Sequence, residues 1–155
     1  MAQTGTQTSV EQRLTTMRIL CIVFLANIGL FALVGYITGQ SAGAERDASD
    51  GFSNLLLAFF ALGVAAVAAS FAVRSVFQAK AEREQSQTVV QQGLIMALVM
   101  CEVAALLGLV GLFIDGHPYT YLLFVVAAVG DLLHFPRREH LLVASYKTAD
   151  RNAAV

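Results

Sequence analysis

Residues 89–114 read VVQQGLIMALVMCEVAALLGLVGLFI and hold one ionisable side chain, Glu102, near their centre. At ~1.5 Å per helical residue this run exceeds the ~30 Å hydrocarbon core of a bilayer. It is apolar on every face rather than along one stripe, which is the pattern of a helix surrounded by lipid. Three further runs resemble it. Residues 17–38 (MRILCIVFLANIGLFALVGYIT) contain one strongly polar group, Asn27, and residues 52–77 have a middle dense in small side chains. Residues 119–135 are only just long enough to cross, and Pro136 ends them. The fold expected is all-α: an integral membrane bundle of four transmembrane helices within residues 17–136.

Composition agrees with this reading. Of 155 residues, 57% are hydrophobic and 14% charged, and the mean hydropathy is +0.66, more than a soluble core of this size requires. A net charge of −1 provides no basic field for nucleic acid. Cys21 and Cys101 lie in separate apolar runs and read as small hydrophobes, with no disulfide framework and no metal pair. Trp is absent, so Tyr36, Tyr119 and Tyr121 supply the aromatic anchors at the interfaces.

The segments outside the spans set the orientation. Residues 1–16 form a polar tail without the pattern of a signal peptide, expected to become helical near Val10. Residues 39–51 are a small-residue loop carrying Glu45, Arg46, Asp47 and Asp50. The charged stretch 78–87 has no Pro or Gly to force a reversal and is expected to continue one or both of the flanking helices. Asp115 to Pro118 make a tight turn, and residues 137–155 form a tail able to lie on the membrane as an amphipathic helix. Arg13, Arg18, Arg74, Lys80, Arg83, Arg137, Arg138, Lys147 and Arg151 fall on one side, and only Arg46 on the other. The positive-inside rule then places both termini and the middle loop in the cytoplasm, with the chain multi-pass in an inner membrane. A faint repeat, Val34-Gly35 and Leu55-Leu56 against Val110-Gly111 and Leu122-Leu123, would set Asn27 within about a turn of the position of Glu102.

Glu102 is the residue that needs a reason. A charged carboxylate at mid-bilayer costs at least ~2.5 kcal/mol. A neutral carboxyl that ionises on meeting a cation or an aqueous path is a carrier of protons. A neutral Glu hydrogen-bonded to Asn27 or Ser70 instead glues helices together. Both readings stand at this point. No Gln, Ser or Thr lies within a turn of Glu102, which favours protons over sodium, an ion that needs several oxygen ligands.

From Ala97 the sequence reads ALVMCEVAALLGLVGLFI, in which Glu102 is followed by Ala105 at +3, Gly108 at +6, Leu109 at +7 and Val110 at +8. This resembles the ion-binding helix of the rotary ATP synthase c subunit, a proteolipid. Spans two and three are similar to its hairpin: an Ala/Gly-rich helix, a polar loop, then the carboxylate helix. The resemblance implies ion binding at Glu102, with Ala105 and Gly108 as close-packing support; the partners expected are further copies of the chain or a membrane complex, and H+ as the ion follows from the residues around Glu102 given above. Extra spans flank this hairpin, and no Arg-polar-Pro signature stands in its loop.

Other groups read as structural. Asp131 and His134 share a face at i,i+3 near the end of span four, with Arg138 a turn further on, and read as an interfacial charge cluster rather than a proton relay. His117 has only Asp115 near it, a poor metal site. No nucleophile triad, phosphate loop or haem-ligand pair occurs, so neither enzyme activity nor a cofactor is expected. Two functions remain: proton binding or translocation through Glu102 in an oligomer, and a structural or accessory role in a membrane complex.

Overall fold

The computed structural model describes residues 3–42, 54–84, 86–114 and 117–136. Every regular element among them is helical: α1 (Gln3–Ala42), α2 (Asn54–Glu84), α3 (Gln87–Ile114), a single 3-10 turn (Pro118–Thr120) and α4 (Tyr121–Leu133). Three helices are long and apolar enough to cross a membrane, with spans at Glu11–Thr38, Asn54–Glu84 and Thr88–Ile114. The fourth apolar segment, Pro118–Leu133, is shorter. Its α-helical part has 13 residues, about 20 Å at ~1.5 Å per residue.

Boundaries of α1 and α4 differ from the sequence reading: α1 runs on to Ala42, into the expected loop, and α4 follows a 3-10 turn, and two further ends shift for local reasons. α1 begins at Gln3 rather than near Val10. Leu14 and Met17 are buried against Leu94 and Leu98 of α3, so the first turns extend a helix already anchored, and each added residue gains a hydrogen bond. The hydroxyls of Thr15 and Thr16 donate to the carbonyls of Glu11 and Gln12, so these polar residues satisfy themselves within the helix. α4 ends at Leu133, two residues before the expected end. Pro136 disfavours helical geometry at Phe135, and the His134 N–H closes the last turn onto the carbonyls of Gly130 and Asp131.

The charged stretch between α2 and α3 does continue both helices. α2 runs to Glu84 and α3 starts at Gln87. The reversal is tied by the Ser86 N–H donating to the Ala81 carbonyl at 3.3 Å. The C-terminal tail with its expected amphipathic helix, most of the loop after α1, and Asp115 and Gly116 lie outside the described residues.

Pair contacts fix the topology. Gly93 faces Phe77 and Gly111 faces Phe59, so α2 and α3 are antiparallel. Gly111 meets Thr120 and Gly130 meets Cys101, so α4 is also antiparallel to α3. Asn27 meets Glu102 and Gly35 meets Leu112, so α1 runs parallel to α3. α1 and α2 each pack on α3 and α4, which form the middle of the bundle.

Small residues set the spacing. A Cβ on Gly63 would lie 2.6 Å from Leu123, and one on Gly130 would lie 2.9 Å from Val67 and 3.0 Å from Cys101. Ala97, Ala104 and Ala105 are fully buried along α3. Such backbone approach is the means by which helices associate in lipid, where no hydrophobic force draws them together. The outer surface is correspondingly apolar: Ile22, Val76 and Leu133 are each at least 60% exposed, and large aliphatic side chains are exposed on all four helices. An apolar surface of that extent is suited to contact with lipid.

A Cβ added at Gly93 would overlap Phe77, whereas one at Gly29 meets nothing within 4 Å. Gly93→Ala should therefore lower the stability of the detergent-solubilised protein by ~1–3 kcal/mol. Gly29→Ala should leave it unchanged or raise it by ~0.5–1 kcal/mol. Denaturant titration followed by helical circular dichroism checks both, and equal effects would contradict the packing of α2 on α3.

Candidate functional site

All four helices bring polar side chains to one level of the bundle. α1 supplies Asn27, α2 supplies Ser70 and Arg74, α3 supplies Cys101 and Glu102, α4 supplies Asp131, and His134 caps the end of α4. The levels match because α3 is antiparallel to α2 and α4 and parallel to α1. On the periodicity of each helix, Ser70 and Arg74 (i,i+4) share a face, as do Asp131 and His134 (i,i+3).

Glu102 sits on the α1 side of α3, half-buried, between the exposed Val103 and the buried Cys101. Its Oε1 accepts a hydrogen bond of 2.6 Å from Nδ2 of Asn27. Of the two candidate partners named from sequence, Asn27 is the one that meets it. Ala105 is buried and packs with Ile28, Ala104, Phe124 and Ala127. Gly108 is buried against Leu123 and Phe124, so its open face is used by α4 of the same chain.

Ser70 belongs to a different set. Its hydroxyl donates to the Val67 carbonyl at 2.6 Å. That leaves its oxygen to accept, 2.7 Å from Nε2 of His134. Nε2 must therefore carry the imidazole proton, and Nδ1, 3.1 Å from Arg74 Nη1, accepts from the guanidinium. The thiol of Cys101 donates to the same Ser70 oxygen at 3.8 Å. The resulting chain, Arg74 to His134 to Ser70 to Val67, is closed, with a donor and an acceptor at each step. The ring of Phe71 lies 4.4 Å from the His134 ring and covers it.

Asp131 and His134 share a face, as their spacing requires, but that face turns into the bundle. Asp131 is 2% exposed and His134 is fully buried. The guanidinium that meets His134 is Arg74 of α2, and Arg138 lies outside the described residues. Neither carboxyl oxygen of Asp131 has a hydrogen-bond partner among the described residues. It faces a pocket of about 30 Å3 between α1 and α4, lined also by Cys21, Ile22 and Leu25.

Two contributors were not singled out in the sequence. Arg74 counted only as a topological charge, and Cys101 as packing. The signal was present in the polar i,i+4 pair on α2 beside the polar i,i+3 pair on α4, since two polar stripes in apolar helices are satisfied most easily by each other. His117 accepts from the Tyr119 N–H at 3.4 Å and stacks on the Tyr119 ring. No group of three or more metal-ligating side chains occurs among the described residues.

Fold and site together define an all-helical protein with three helices able to cross a membrane and a polar layer buried where its four helices meet. The chain matches no protein-family model, no curated protein and no solved structure.

Ser70→Ala removes the acceptor of the His134 Nε2–H inside the bundle and should cost ~1–3 kcal/mol of stability. Ser75→Ala, at an exposed serine that donates to the Ala72 carbonyl, should change stability by less than ~0.5 kcal/mol. The same denaturant titration distinguishes them.

Proposed function

We propose that the chain is a four-span protein of the inner membrane, with both termini cytoplasmic, that binds protons at Glu102 and translocates them as part of an oligomer. The observation that carries this reading is the Glu102 carboxyl itself: one oxygen is held by Asn27 across the α1–α3 seam while the side chain keeps partial exposure. A carboxyl oriented in this way has one oxygen fixed and the other able to gain and lose a proton. Asn27 presents an N–H donor rather than an oxygen, which favours a proton over a sodium ion. The antiparallel pairing of α2 with α3, and the short reversal between them, is the arrangement a c-subunit-like hairpin requires. α4 is short for a span, and a short span is accommodated by local thinning of the bilayer and by snorkelling basic side chains. Arg18, whose guanidinium lies 5.9 Å from the Phe135 ring, is placed on α1 beside the end of α4.

A structural role is the second reading, and it rests on the same hydrogen bond. Interhelical polar bonds in lipid contribute ~0.6 kcal/mol on average and up to ~1.7 kcal/mol, enough to fix the register of α1 on α3. In this case the faces available to another subunit are those carrying Ala65, which is exposed, and Ala69, which is half-buried. Gly108 is already covered by α4.

Purified protein in sealed lipid vesicles, driven by a potassium diffusion potential, should take up protons. Glu102→Gln should reduce uptake to the level of protein-free vesicles, and a carbodiimide should label Glu102 in a pH-dependent manner. Undiminished uptake by Glu102→Gln would contradict translocation through this residue. Normal assembly of that variant, together with loss of assembly in Ala65→Leu, would favour the structural role.

A further inference from the structure

Asp131 is a buried carboxyl on α4 that the proton binding proposed for Glu102 does not use. It is 2% exposed, and neither oxygen meets a donor among the described residues. A buried carboxyl left in this way forfeits several kcal/mol of hydration unless something small and polar joins it. The pocket it faces holds about 30 Å3, against the ~10–15 Å3 needed to admit a water molecule. Its walls are Cys21, Ile22 and Leu25 of α1, Leu132 of α4 and Phe135 just beyond it, toward the end of the bundle where α2 joins α3.

We propose that Asp131 and this pocket form a hydrated proton-binding site that exchanges protons with water at that end of the bundle and passes them to Glu102. The groups around Asp131 are Cys21 on α1, Cys101 and Glu102 on α3, His134 on its own helix, and Arg74 on α2. Two of these are committed elsewhere: His134 gives one ring nitrogen to Ser70 and the other to Arg74. Cys101 donates to Ser70. Gly130, next to Asp131, meets Cys101, next to Glu102, so the two carboxyls stand at one level of the bundle.

The transfer is balanced in protons alone. A hydronium in the pocket loses a proton as an O–H bond forms on Asp131. That O–H bond then breaks as water relays the proton to Oε2 of Glu102, the oxygen that Asn27 leaves open. No electrons are exchanged. The first half of the proposal, a water-accessible proton site at Asp131, stands on its own geometry. The second half, delivery to Glu102, rests on the function proposed for that residue.

The test is infrared spectroscopy of the protein in lipid vesicles, with aspartate carbon-13-labelled at the carboxyl and the buffer changed from H2O to D2O. A labelled carboxylic-acid band should be present, should shift on deuteration, should persist in Glu102→Gln and should be lost in Asp131→Asn. A band that does not shift, or that survives in Asp131→Asn, overturns the site. If Asp131→Asn does not fold, Cys21→Leu, which fills the pocket, carries the test: it should retain the band and slow its shift. An unchanged shift in that variant overturns the site.

Delivery is read from proton uptake. Asp131→Asn should slow it, or Cys21→Leu where the Asn variant does not fold, and unchanged uptake in the variant tested overturns the relay while leaving Glu102 as the translocating residue. Normal uptake in Glu102→Gln overturns the function proposed for Glu102, and delivery with it. The Asp131 site then still stands or falls on the deuterium shift.

Discussion

Hydrocarbon contains no water to hydrate a polar side chain, and that constraint orders the rest of the structure. Each polar group that the apolar helices carry into the bundle must find its partner on another helix or go without. Asn27 and Glu102 find each other across α1 and α3. Ser70, Arg74 and His134 close a chain across α2 and α4. Because those partners lie at fixed heights along their helices, satisfying them fixes the register of the bundle. The glycines then decide how near the backbones come: Gly63, Gly93 and Gly130 admit Leu123, Phe77 and Val67 where a methyl group would collide.

The long helices were legible because hydropathy is a property of composition and needs no tertiary information. Residues 17–38 and 89–114 fall inside observed helices, and α2 covers residues 54–77 of the expected 52–77, the first two lying outside the described residues. The start of α1 moved because Leu14 and Met17 pack on α3, a contact no local pattern encodes. The end of α4 moved because a proline acts on the residue before it. The fourth span read as marginal from sequence, and it is the short segment of the structure.

The site was less legible, and for one physical reason. Periodicity tells which residues share a face, but not which way the face is turned. Asp131 and His134 were recognised as neighbours and assigned to the interface, because charged residues next to a proline and two arginines commonly lie there. In the structure that face turns into the bundle, where Arg74 of α2 meets His134, a pairing that the spacing along α4 does not encode. Asn27 and Ser70 were equal candidates for Glu102 because both were polar and intramembrane. Only the parallel placement of α1 on α3 separates them, and only the demand of His134 for an acceptor explains why Ser70 is taken.

The Asn27–Glu102 hydrogen bond joins the first helix to the carboxylate helix at mid-span. Magic-angle-spinning NMR of the protein in lipid bilayers, with nitrogen-15 in the asparagine side-chain amides and carbon-13 in the glutamate carboxyls, measures it directly. A strong dipolar coupling between Asn27 Nδ2 and the Glu102 carboxyl carbon, as a nitrogen–oxygen distance of 2.6 Å requires, and its loss in Asn27→Ala, is the result expected. No coupling in the wild-type protein would mean that α1 does not lie on α3 in this register, and would contradict the polar layer on which the functional reading stands.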